Sequence, residues 1–123
     1  MSQARFLSQE LSSRIYRKSK RRILVHHIPL WFERTGDKGA VSEPCRELWL
    51  PTLRKANFDI SLNAHVHEYR VLEANKLDTP YPVLTGGGPS LGTATMTVIR
   101  KHGKKLTCTT INAEGKTISE INL

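Results

Sequence analysis

The stretch Asn63-Ala64-His65-Val66-His67-Glu68-Tyr69-Arg70 follows directly on the apolar run Phe58-Asp59-Ile60-Ser61-Leu62. A β-type run that ends in two histidines spaced i, i+2 brings both imidazoles to the edge of a sheet. While the backbone stays extended the two rings point to opposite faces. Where it turns, both can converge on a metal from different directions. Neutral imidazole is the commonest protein donor to transition metals, so His65 and His67 are candidate metal ligands. Taken alone, the pair reads more readily as two solvated histidines at a strand end.

A second histidine site lies upstream, in Arg22-Ile23-Leu24-Val25-His26-His27-Ile28-Pro29-Leu30-Trp31. The buried-type strand Ile23-Leu24-Val25 again delivers histidine at its carboxyl end, where open α/β sheets place their ligand sites. Together these motifs resemble the C-terminal half of calcineurin-like metallophosphoesterases, in particular the purple-acid-phosphatase-like ones. That family carries a strand ending in His-x-Pro and, later, a Gly-His-x-His block with Tyr and Arg shortly after. Here they read His27-Ile28-Pro29 and Ala64-His65-Val66-His67-Glu68-Tyr69-Arg70, with Ala64 where glycine is usual. The likeness continues through Trp49-Leu50-Pro51-Thr52-Leu53-Arg54 and Tyr81-Pro82-Val83-Leu84-Thr85-Gly86-Gly87-Gly88, and so covers nearly the whole chain.

The resemblance implies an α/β fold: half of a two-sheet α/β/β/α sandwich, with a mixed sheet and a C-terminal antiparallel meander. Residues 1–123 would form a single partial domain. It also implies hydrolysis of a phosphoester substrate by a pair of divalent or trivalent metal ions, iron, zinc or manganese, that clamp the ester and activate water. His27 and His65 would hold one ion and His67 the other. The family's remaining ligands lie in Asp-x-His, Gly-Asp-x-x-Asp and Gly-Asn-His motifs, none of which occurs here. The aspartates of this chain are Asp37, Asp59 and Asp78, outside any such block. Three imidazoles shared between two ions leave each under-ligated, so the chain alone is expected to be a poor catalyst. The carboxylate motifs are expected upstream of Met1, and the chain is expected to be a C-terminal fragment. No catalytic or substrate-binding residue is assigned within it. Two other readings stand beside this one: a non-catalytic binding or regulatory module that engages a partner through its basic N-terminal helix, and a mononuclear zinc or iron site built from His27, His65 and His67.

At 123 residues the chain has room for one domain. Its formal charge of +8 is uneven, with seven cations against one acid in residues 1–22 and six basic residues among the nine from Arg14 to Arg22. Such a run could meet nucleic acid, but lysines and arginines at a helix C-terminus also complement its dipole. Tyr16 is the one interleaved aromatic, so nucleic acid is not the expected partner. Self-association, or association with a missing N-terminal half, is expected instead, because half a sandwich leaves a face and strand edges uncovered. Cys45 and Cys108 form no Cys-x-x-Cys and read as packing residues. No apolar run approaches the roughly 20 residues that span a bilayer. The N-terminus carries no signal-peptide pattern, which makes the chain cytoplasmic by default, with no membrane partner.

Leu7, Leu11 and Ile15 at i, i+4, i+8, with Glu10 four before Arg14, predict one amphipathic helix over residues 3–18 that packs on a sheet. A strand over 22–28 and a polar loop over 33–41 follow. Ser42 is placed to cap a helix over 43–56, which Pro51 is expected to kink or divide. Strands are predicted at 58–63, 69–74 and 83–85, then three more at 94–98, 106–111 and 117–121, the last three joined by turns at 102–104 and 113–115. His102 sits in one of those turns and reads as solvated. Gly86-Gly87-Gly88-Pro89 matches neither a Walker loop nor a dinucleotide fingerprint, so it predicts close approach of backbones.

Overall fold

The computed structural model describes residues 2–32 and 43–123. The loop expected over 33–41 and the cap expected at Ser42 lie outside these residues. In chain order the elements are α1 (Gln3–Leu11), α2 (Arg14–Lys18), β1 (Ile23–Val25), α3 (Glu43–Ala56), β2 (Ile60–Asn63), β3 (Arg70–Leu72), β4 (Val83–Thr85), β5 (Thr95–His102), β6 (Lys105–Asn112) and β7 (Thr117–Asn122).

The first four strands form a mixed sheet in the order β1-β2-β4-β3. Strand β2 pairs parallel with β1 and β4, whereas β3 runs antiparallel to β4. Strands β5, β6 and β7 form a separate antiparallel meander. The expected mixed sheet and C-terminal meander are both present. Period-two alternation decides what lies on either side of the mixed sheet. Ile60 and Leu84 face the meander and cluster with Cys108, while Ile99 and Ile121 pack around them. Val83 and Leu72 point the other way, into a cluster with Leu53, Trp31 and Tyr81 under the helices. The mixed sheet is thus sandwiched between a helical layer and a second sheet.

Within the meander the inward face is carried by Leu106, Cys108 and Thr110, all buried. Thr97 is the cross-strand partner of Thr110, and their hydroxyls lie 3.0 Å apart, which satisfies the buried one. The partly buried side is therefore the outer one, where Met96 stands 56 % exposed.

Three expectations are corrected. The helix over 3–18 is two helices, because Ser13 adopts extended backbone and caps α2, its Oγ accepting from the Tyr16 N–H. Serine offers the backbone this local alternative to helix. In consequence Leu7 packs on the core while Ile15 is left 78 % exposed, and α1 lies against α3. Helix α3 is not divided but is one element with Pro51 inside it. Pro51 is exposed, so the carbonyl deprived of a donor can be hydrated. Cys45 is exposed and does not pack, in contrast to Cys108, whose thiol is buried and pushed up in pKa by that burial.

Strand β1 has β2 as its only strand neighbour among the described residues, and Val25 is 72 % exposed. Among the described residues that edge of the mixed sheet is therefore unpaired. No helix among the described residues is long and apolar enough to cross a membrane.

Candidate metal-ligand site

The three parallel strands β1, β2 and β4 end side by side, and each hands the chain to a residue singled out by sequence: His27, His65 and the Gly86-Gly87-Gly88 run. Backbone bonds hold the three connections together at this edge. The Ala64 N–H donates to the His27 carbonyl at 3.0 Å, and the Gly86 N–H to the Asn63 carbonyl at 2.8 Å. Beneath them, buried Asn63 accepts a 2.7 Å bond from the Thr85 hydroxyl through Oδ1.

The backbone does turn at the histidine block. The Val66 N–H bonds the Ala64 carbonyl at 2.8 Å, and both His65 (φ 66°) and His67 (φ 55°) are left-handed. For residues with a Cβ this conformation costs on the order of 1 kcal/mol each, and such strain gathers at functional sites. The turn brings His65 Nδ1 to 3.0 Å from His27 Nε2, with the rings edge to face at 81°. Both side chains are exposed. His27 borders an open depression of about 430 Å³ lined also by Val25, Leu62, Asn63 and Ala64.

His67 is not brought to this pair. Its Cβ and Cγ press on Gly88, where an added Cβ would lie 2.8 and 2.9 Å from them and where φ is +103°. No side chain fits at position 88. His67 borders a different cleft, of about 340 Å³, shared with Leu91, Thr95, Asn112 and Ile118.

The two nitrogens stand at hydrogen-bond distance, one ring donating to the other. With metal–nitrogen bonds of about 2.0–2.1 Å and tetrahedral angles, two ligating nitrogens stand about 3.3 Å apart, close to the spacing seen here. A complete centre does not follow: among the described residues no three histidine, cysteine, aspartate or glutamate side chains are grouped to hold an ion. The aspartates are engaged elsewhere. Asp59 receives Arg21 Nη1 and the Arg22 N–H, both at 2.7 Å, Asp78 pairs with Arg54, and Asp37 lies outside the described residues. Glu68 pairs with Arg70.

The histidine that sequence reasoning passed over is His26. Alternation turns it away from His27, and its Nδ1 lies 2.7 Å from the Ile28 carbonyl. A carbonyl only accepts, so Nδ1 carries the proton and Nε2 accepts from the buried Ser61 hydroxyl at 2.8 Å. Burial lowers its pKa from 6.5, an effect the Ile28 carbonyl partly offsets. The doublet itself was the available signal, since adjacent residues leaving a strand take opposite faces.

A pH dependence of stability follows. The unfolded chain gains the His26 proton near 6.5 while the folded one does not, so this contribution is present above about 6.5 and is lost as pH falls toward the folded pKa. Melting His26→Asn and the parent at about pH 7.5 and about pH 5.5 should show a smaller acid loss in the variant. Equal losses would remove His26 from the account.

No protein-family model matches the chain, and no curated protein matches it.

Proposed function

We propose that the chain contributes to a metal-dependent phosphoester hydrolase of the calcineurin-like type, with His27 and His65 as two ligands of one ion. The observation that carries this reading is the 3.0 Å approach of His27 Nε2 and His65 Nδ1 at the carboxyl ends of adjacent parallel strands. An ion held by His27 and His65 would supply Lewis acidity and an activated water for attack on a phosphoester. The protein's part is positional. The Ala64–His27 backbone bond and the left-handed His65 hold the two rings together, and their exposure leaves the pair open to substrate and to further ligands. His67 lies in the neighbouring cleft, and in this reading it would serve a second ion rather than the first. The carboxylates are to be supplied by another segment or chain, for which the open edge at β1 is the proposed seat.

The test is to read the DNA 5′ of the Met1 codon for the Asp-x-His, Gly-Asp-x-x-Asp and Gly-Asn-His motifs and to express the joined protein. Chelator-sensitive hydrolysis of an aryl phosphate is expected, with kcat/KM lowered by at least about 10²-fold in His27→Ala and His65→Ala, since groups that merely orient a ligand are already worth roughly 10–100-fold. Unrelated upstream sequence, or a joined protein indifferent to both substitutions, would overturn the proposal.

A further inference from the structure

At the opposite, amino-terminal ends of β1 and β2 the chain builds a second concave feature. Arg21 and Arg22 lead into β1, Asp59 precedes β2, and the β5–β6 hairpin folds back beside them. The tip of that hairpin is tied down by Arg21, whose Nη2 donates to the Lys104 carbonyl. Between the two segments runs a groove of about 640 Å³ lined by Lys18, Lys20, Arg21, Lys101 and Lys104, with Ser19 and Gly103 completing it. No acidic or apolar side chain lines it among the described residues. Arg21 is committed to Asp59, but the four lysines are exposed, and none is in an ion pair among the described residues.

Four ammonium groups around one trough have no acidic partner among the described residues and repel one another, so a polyanion that sits between them gains from each. The kind of polyanion follows from what the groove lacks. Without an apolar side chain it offers neither a protein hot spot nor an anchor in lipid. Without a free ring it offers no stacking platform for unpaired bases, because the Tyr16 ring is covered by the Arg22 guanidinium at 4.5 Å and meets Phe58 at its edge. What remains is a row of point charges, the means by which proteins hold the phosphodiester backbone of a duplex, whose charge density is high and whose shape needs no base contact. We infer that this groove binds double-stranded nucleic acid through its phosphates, independently of sequence and of the histidine pair.

The experiment is fluorescence anisotropy of the full chain with a labelled duplex of roughly 20 base pairs, titrated across salt concentrations. With the four lysines each neutralising a phosphate, log K should fall against log salt with a slope of about −3.6. Lys101→Gln/Lys104→Gln should bring the slope to about −1.8 and weaken binding at least about tenfold near 100 mM salt. Lys76→Gln/Lys116→Gln removes the same charge away from the groove and should change little, two unrelated duplex sequences should bind alike, and His65→Ala should bind as the parent does. Equal losses in the two double variants would reduce the groove to bulk charge and overturn the inference. So would a single strand of equal length that binds as tightly as the duplex, or phosphatidylserine-containing vesicles that displace the duplex from the protein.

Discussion

Alanine at His65 is expected to weaken zinc or manganese binding by on the order of 10²-fold. The reason is geometric: with His27 Nε2 and His65 Nδ1 3.0 Å apart, one cation can take both, and removing either ring leaves a single exposed imidazole. Even groups that merely orient a ligand are worth roughly 10–100-fold in affinity, so loss of a ligand itself should meet or exceed that. His27→Ala should match His65→Ala, and combining the two should add little, because the site is already lost. His102→Ala is the control, since that histidine stands exposed at the end of β5, in the far hairpin. Calorimetric titration reads the result. Identical binding by the parent and His65→Ala would dissolve the proposed pair. Parallel loss in His102→Ala would show only adventitious imidazole binding.

The largest expected effect on stability comes from Gly87→Ala. A Cβ at position 87 would lie 1.9 Å from the Thr93 carbonyl oxygen and 3.1 Å from the Thr95 Cγ2. The nearest obstacle is backbone, so relief requires moving the segment that leads into β5. That segment is also held by the Gly87 N–H, which donates to Thr95 Oγ1 at 2.9 Å. Overpacking costs about 1–3 kcal/mol where side chains can yield. Where backbone must yield the cost should be about 3 kcal/mol or more, a fall in Tm on the order of 10 °C. Gly92→Ala is the matched control: nothing lies within 4 Å of its Cβ, so it should be neutral or stabilise by a few tenths of a kcal/mol. A Gly87→Ala protein that melts with the parent would show that the close approach is not needed for folding.

The glycine run illustrates how far local pattern reached. Three consecutive glycines signalled backbone permissiveness, and two of the three are obligatory, but for different neighbours, Thr93 for Gly87 and His67 for Gly88. Neither neighbour is adjacent in sequence, so the pattern could announce a close approach without naming its partner. The helix over 3–18 failed for the opposite reason. Its apolar spacing was sound, but Ser13 capped a new helix locally, and no long-range contact was needed to break the period.

By itself the sequence determined where the strands lie and that histidine stands at the carboxyl ends of two of them, because strand periodicity and β-branched runs act over a few residues. It also determined the mixed character of the fold, a helical segment between apolar strands followed by a meander with turn residues at regular spacing. Only the tertiary structure decided which histidines meet. Parallel pairing of β1 with β2 sets His27 beside His65, the left-handed turn carries His67 to Gly88, and alternation withdraws His26 to Ser61. The basic groove belongs to the same class of fact. Lys18 and Lys20 were visible as a charge run, but Lys101 and Lys104 join them only because the β5–β6 hairpin folds back over more than eighty residues of chain to Arg21. Convergence of distant side chains is a property of register and layer packing, and no window of the sequence contains it.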